Sequence, residues 1–221
     1  MQKVIKKWLS VWLYVITAIG GFLAAMLICS WEVWPLHTKL AVAGNISLVL
    51  HVLEEWKFPG GFFYMYNLQH NAPEELADRY PMSQLTDMIT NFVPILFGCG
   101  MLAIGTPYFT SLMWFLLSAM EVIVHTMAGV HCIRRFGDKG KKTLYNPGLF
   151  TSYFCFLPVF IGYIYSFINY RVPTLAEMIL AVASTLVMSY LVINLAEEKL
   201  KDKDSPYGYN WGYGYFEKFR K

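Results

Sequence analysis

Four stretches of this chain carry no charged side chain: Trp8 to Trp31, Met88 to Met120, Leu149 to Tyr170 and Met178 to Ala196. About 20 apolar residues are enough to cross the hydrocarbon core of a bilayer as a helix. A backbone in lipid must satisfy its own polar groups, which leaves helices and closed barrels as the only spanning structures. Runs of this length select helices. The fold class is therefore all-α, a polytopic bundle of about six transmembrane helices. Composition agrees, with 56% hydrophobic and 15% charged residues, where a soluble domain carries about 25% charge.

The helices are expected at about Trp8–Cys29, Thr38–Trp56, Ser83–Gly105, Tyr108–Cys132, Leu149–Tyr170 and Thr174–Ala196. Lys3, Lys6 and Lys7 before the first run resemble a signal-peptide n-region. The apolar run that follows is longer than a typical h-region of ~7–15 residues, so it reads as the first span. Pro59-Gly60-Gly61 ends the second helix, and the loop to Pro81 has room for a short surface helix. Ser83 suits an N-cap, and Gly105-Thr106-Pro107 makes a tight reversal. Residues 1–200 form the transmembrane domain. Residues 201–221 form a basic tail rich in tyrosine and glycine, expected to lie on the membrane surface or to be disordered.

An even number of spans puts both termini on one side, together with the loops after the second and fourth helices. That side holds all but Lys39 and Arg171 of the 18 lysines and arginines. The positive-inside rule then predicts cytoplasmic termini in an inner or plasma membrane. Spread over flanking loops, this charge gives no nucleic-acid patch, and no nucleic-acid partner is expected. Cys29, Cys99, Cys132 and Cys155 show no C-x-x-C pairing and read as small hydrophobes.

Against this background the polar residues inside the spans stand out. His51, Glu54 and Glu55 lie near the end of the second helix, Asp87 and Asn91 near the start of the third, and Glu121 and His125 in the later part of the fourth. His51/Glu55, Asp87/Asn91 and Glu121/His125 are each spaced i, i+4, one turn apart on one face. The alternating direction of the helices brings all three pairs to a similar depth. A carboxylate at a membrane-helix centre costs roughly 2.5–3.5 kcal/mol, so these groups need partners or a task.

Two imidazoles with several carboxylates make a divalent-metal shell, for which zinc is favoured and iron comes second. His51, His125 and Glu55 or Glu121 are the expected ligands. Glu54 is the expected general base, and Asn91 orients a ligand or the substrate. Glu54 and Glu55 stand ~100° apart, so only one of them need face the site. Asp87 serves equally as a first-turn acid that caps its helix. A dinuclear iron site is the alternative, because carboxylate-rich bundles use Glu-x-x-His pairs; here the order is His-x-x-Glu-Glu. A proton or metal-ion path through the same cluster, or simple polar pairing that fixes helix packing, are the non-enzymatic readings.

His51-Val52-Leu53-Glu54-Glu55 followed by Pro59-Gly60-Gly61 resembles the signature of the HXXEE membrane-protein family. Glu121 to His125, Arg134-Arg135 and Tyr145-Asn146-Pro147-Gly148-Leu149 extend the resemblance in order, over about Thr38 to Tyr170. It implies a multi-span membrane protein and names no reaction. The residues themselves point to a metal-dependent intramembrane enzyme, a hydrolase before an oxidoreductase. Its partners are the lipid bilayer and a lipid or other apolar substrate reached from the cytoplasmic side.

Overall fold

The computed structural model describes residues 1–220, which are helical with connecting turns and contain no strand. Six helices are long and apolar enough to cross a membrane: α1 (Gln2–Cys29), α2 (Leu36–Trp56), α4 (Gln84–Ala103), α5 (Tyr108–Phe136), α6 (Leu149–Asn169) and α7 (Leu175–Leu200). The chain is a multi-pass membrane protein. Between α2 and α4 lies α3 (Phe62–Gln69).

The helix α2 is the axis of the bundle, packed by α1, α4, α5 and α6. Its apolar window is 56% buried against 11–33% for the other five, so polar side chains on α2 face protein where a surface span would face lipid. Small residues let neighbours approach it closely, as is usual for membrane helices. A Cβ on Gly20 of α1 would sit 2.9 Å from Val49, and one on Gly98 of α4 would strike the Asn45 amide. That amide donates to the Ile95 carbonyl at 3.1 Å and joins α2 to α4.

The expected helix starts and stops fall close to where they form, with two differences. Ser83 does occupy the N-cap of α4, but its hydroxyl pairs with that of Thr86 at 3.3 Å and caps no backbone amide. The short helix after Pro-Gly-Gly is buried: Phe63, Tyr64, Met65 and Leu68 are all inside. Two helices also contain π-helical stretches, Ser152–Phe156 in α6 and Tyr190–Leu195 in α7. Such bulges free backbone groups and gather at functional sites. Here the Thr90 hydroxyl on α4 satisfies the Val192 carbonyl at 2.8 Å.

The tail corrects a sequence expectation. It is ordered and packs under the end of the bundle that carries both termini. Tyr209, Phe216 and Phe219 are buried, and the Tyr209 ring stacks on Phe63 at 3.7 Å with an interplanar angle of 4°. Backbone bonds fix the register, from Tyr209 N to Asp78 O at 2.8 Å and from Tyr215 N to Gly60 O at 3.0 Å. Gly61, at φ +102°, has to be glycine twice over, because a Cβ there would strike the Tyr213 carbonyl. The burial that these aromatic rings gain explains why a segment without helical periodicity is ordered.

Tyr209 also donates its phenol to the buried Asp87 carboxylate at the start of α4. Burial, and after it the Asp87 charge, push this phenol well up, so it stays a donor. Replacing Tyr209 by Phe keeps the stack and removes the donor. The expected cost is about 1–3 kcal/mol for an under-satisfied buried carboxylate, read as a lower unfolding midpoint in detergent. Faster proteolysis after Lys203 accompanies it.

Candidate metal centre

Four side chains meet in the half of the bundle nearest the termini. His51 Nε2 lies 3.3 Å from Glu55 Oε1 and 3.4 Å from Glu121 Oε2. His125 Nε2 lies 3.4 and 3.5 Å from the same two oxygens. Nitrogen and oxygen thus alternate around a closed ring. His51, Glu55 and His125 are at most 4% exposed, while Glu121 keeps 17% of its side chain open. Within this ring, His51, Glu121 and His125 offer three ligand atoms all within 4.8 Å of one another.

The other face of each imidazole is fixed. His51 Nδ1 lies 2.8 Å from Thr151 Oγ1, whose single proton goes to Glu54 Oε2 at 2.6 Å. Thr151 therefore accepts from His51, which places the proton on Nδ1. His125 Nδ1 lies 2.9 Å from Asn146 Oδ1. The Asn146 amide nitrogen already donates to the carbonyls of His125 and Leu144, at 2.9 and 3.1 Å, so its oxygen must be the atom facing the ring. His125 also carries its proton on Nδ1. Each Nε2 then faces two carboxylates, either as a lone pair or as a second N–H. Four acceptors at 3.3–3.5 Å repel unless positive charge lies among them.

Local sequence explains how this is built. His51 and Glu55 share a face of α2, and Glu121 and His125 share a face of α5, each pair one turn apart. Asn146 and Thr151 come from the turn into α6. Gly148 makes that turn at φ +98°, where a Cβ would strike the His125 ring. Phe156 and Phe62 then pack against the rings of His51 and His125, each with ring centroids 5.5 Å apart. They wall the cluster with apolar surface.

The remaining expected site residues fall into place around it. Glu54, expected as the general base, turns away from the ring. Its carboxylate accepts from Phe150 N at 3.2 Å, Thr151 N at 2.8 Å, Tyr145 Oη at 3.1 Å and the Thr151 hydroxyl. It sits at the N-terminal turn of α6, where backbone amides and the helix dipole favour a carboxylate. Burial and the Glu54 charge push the Tyr145 phenol well up, which keeps it a donor. Glu54 thus holds Thr151 and, through it, His51. Asn91 donates to the Asp87 carboxylate at 2.8 Å and has no contact with the ring. Asp87 and Asn91 do line, together with the cluster, one cavity of about 580 Å³ between α3, α4, α5 and α7. Met65, Met120 and Val124 supply much of its apolar wall, and Tyr66 closes one side by donating to Glu197 at 2.8 Å.

Thr151 and Asn146 are the functional residues that sequence reading did not assign. Asn146 belongs to a quoted motif, but a lone amide in a turn has a more ordinary use as a turn former. Thr151 carries no signal at all. The Tyr153 hydroxyl, also on α6, is turned outward: the residue is 40% exposed and pairs with Thr126 at 2.9 Å.

The sequence model of the family described as "Protein of unknown function with HXXEE motif" matches residues 42–163, more than half of the chain. The chain belongs to the HXXEE family. No curated protein and no solved structure matches it. Every ring residue of this HXXEE protein lies inside the matched segment, as do Glu54, Asn91, Asn146 and Thr151. The motif's histidine and second glutamate enter the ring, and its first glutamate supports the ring from outside.

Replacing Thr151 by Val removes the hydroxyl between His51 and Glu54 while keeping the side-chain shape. Unfolding in detergent should show a loss of about 1–3 kcal/mol. Tyr153→Phe, at the exposed hydroxyl, should stay within about 0.5 kcal/mol.

Proposed function

We propose that this HXXEE protein holds one divalent cation on His51, His125 and Glu121, with one position left for a water, and uses it to hydrolyse a lipid or other apolar substrate. The observation that carries the reading is that two Nε2 atoms, fixed in direction by the bonds at Nδ1, face two carboxylates. A tetrahedral ion with ligands at 2.0–2.1 Å has ligand–ligand edges of about 3.3–3.4 Å. The ligand atoms of His51, Glu121 and His125 lie within 4.8 Å of one another, and the two His–Glu121 edges measure 3.4 and 3.5 Å. Nitrogen and carboxylate donors favour zinc, with iron second. Thr151 and Asn146 on the Nδ1 atoms are the partners that ligating histidines usually have.

A cation held by His51, His125 and Glu121 would lower the pKa of a water in its remaining position to about 7. Glu55, the ring carboxylate outside that set, also lines the cavity and would be placed to take a proton from it. Asn91 and Asp87 across the cavity orient the polar part of a substrate, and the methionine-rich wall takes its apolar part. Glu54 is a positioning residue. Two carboxylates at the ring, with Asp87 held by Tyr209 and Asn91, favour one ion over a dinuclear iron centre.

The excess of lysine and arginine at the termini supports a cytoplasmic position for that end, in an inner or plasma membrane. The site then opens to the cytoplasmic leaflet. The outer part of α7, Leu175–Ser189, packs on α5, whereas its Tyr190–Leu200 part packs on α4. α5 and α7 part at the depth of the cluster, which supports entry of substrate from the lipid side.

Elemental analysis of protein purified in detergent without metal-affinity resin tests this. About one zinc per chain is expected in the wild type, with none in His51→Ala or His125→Ala. Asn146→Ala should bind zinc some 10–100-fold more weakly in a chelator competition. About two irons per chain would favour the dinuclear reading. A metal-free wild type, with both histidine variants as stable as their parent, would remove the enzyme from consideration.

A further inference from the structure

A second cavity, of about 640 Å³, lies at the terminal end on the opposite side of α2 from the His/Glu ring. Its walls are α1, the end of α2, the first residue of α4 and the tail segment Pro206–Trp211. Lys6 and Lys57 both line it, and no aspartate or glutamate does. Neither lysine lies within ion-pair distance of a carboxylate among the described residues. Lys57 instead rests over the Trp211 ring, 4.0 Å from its centroid, and burial alone pushes its ammonium pKa down. Two cations converge here on a space that offers them no counter-charge.

The rest of the lining has a direction. On α1 the lining residues recur at Lys6, Leu9, Ser10, Leu13, Tyr14 and Thr17, one continuous helical stripe. From Lys6 to Thr17 it descends about 16 Å, about one leaflet's share of a hydrocarbon core ~30 Å thick. Charge sits at the top, where headgroups lie; below it come Leu9, Leu13 and Tyr14, with the Ser10 and Thr17 hydroxyls spent on the Lys7 and Leu13 carbonyls. Gln84 anchors the far wall, its amide donating to Gly208 O and its backbone N to Tyr207 O at 3.0 Å. The tail is therefore a built wall of this cavity.

We infer that this groove binds one anionic phospholipid of the leaflet at the terminal end, its phosphate between Lys6 and Lys57 and one acyl chain along the α1 stripe. Basic pockets beside membrane helices take anionic headgroups in this way. A free phosphate shares the headgroup's charge but makes no use of the stripe, so the lipid is the better match. The site is separate from the His/Glu ring and does not depend on the metal reading.

Native mass spectrometry of the full chain, released from nanodiscs of mixed phosphatidylglycerol and phosphatidylcholine, tests the inference. The wild type should retain one phosphatidylglycerol per chain, and Lys6→Arg/Lys57→Arg should retain it as well. Lys6→Gln/Lys57→Gln should bind it roughly 30-fold more weakly, the combined effect of two lysines near a membrane surface. Lys3→Gln/Lys7→Gln, with the same change in net charge, should keep it. Equal loss in both glutamine pairs would reduce the effect to diffuse surface charge and overturn the site. Retention of phosphatidylcholine equal to that of phosphatidylglycerol, or displacement of the lipid by inorganic phosphate, would overturn the assignment of an anionic lipid.

Discussion

The bonds that hold the two imidazoles by their Nδ1 atoms determine what the centre of this bundle can be. Once Thr151 and Asn146 take those protons, the Nε2 atoms can only face inward as lone pairs or as a second, charged N–H. Across from them stand two carboxylates in a region that water barely reaches. Each possible state of the ring needs added positive charge, either protons or a cation. Polar pairing that only fixes helix packing would meet this need with protons, and a metal centre would meet it with a cation.

The rest of the architecture keeps this arrangement fixed. The axis α2 supplies both His51 and Glu55 and is the most enclosed helix, which keeps lipid away from the ring. Gly148 gives α6 its turn beside His125, and the π-helical stretch that follows lets Thr151 and Phe156 reach α2. At the terminal end the aromatic tail seals the base of the bundle, with Tyr209 satisfying the buried Asp87.

Much of this was legible in the sequence because of contrast. Histidine and glutamate are rare and costly in charge-free helices, so His51, Glu55, Glu121 and His125 stood out, and their i, i+4 spacing placed each pair on one face. The choice between Glu54 and Glu55 was not legible. It depends on α6 meeting α2 on the Glu54 side, a tertiary fact with no local signature. Thr151 was invisible for a related reason, since a hydroxyl costs little in a membrane helix and raises no alarm. The packing of the tail was not legible because its aromatics alternate at Tyr207, Tyr209, Trp211, Tyr213 and Tyr215, a strand-like period in a chain whose described residues contain no strand to pair with. Its order comes from stacking on Phe63 and Tyr64 and from backbone bonds to Gly60 and Asp78.

The most direct test of the central claim is X-ray absorption at the edge of the metal bound to the purified protein. A cation on His51, His125 and Glu121 predicts nitrogen and oxygen neighbours at about 2.0–2.1 Å, with the outer-shell scattering of imidazole. A sulfur neighbour at about 2.3 Å would put the metal on a cysteine elsewhere in the chain, and absence of imidazole scattering would remove the histidines from the shell. Either result contradicts the account.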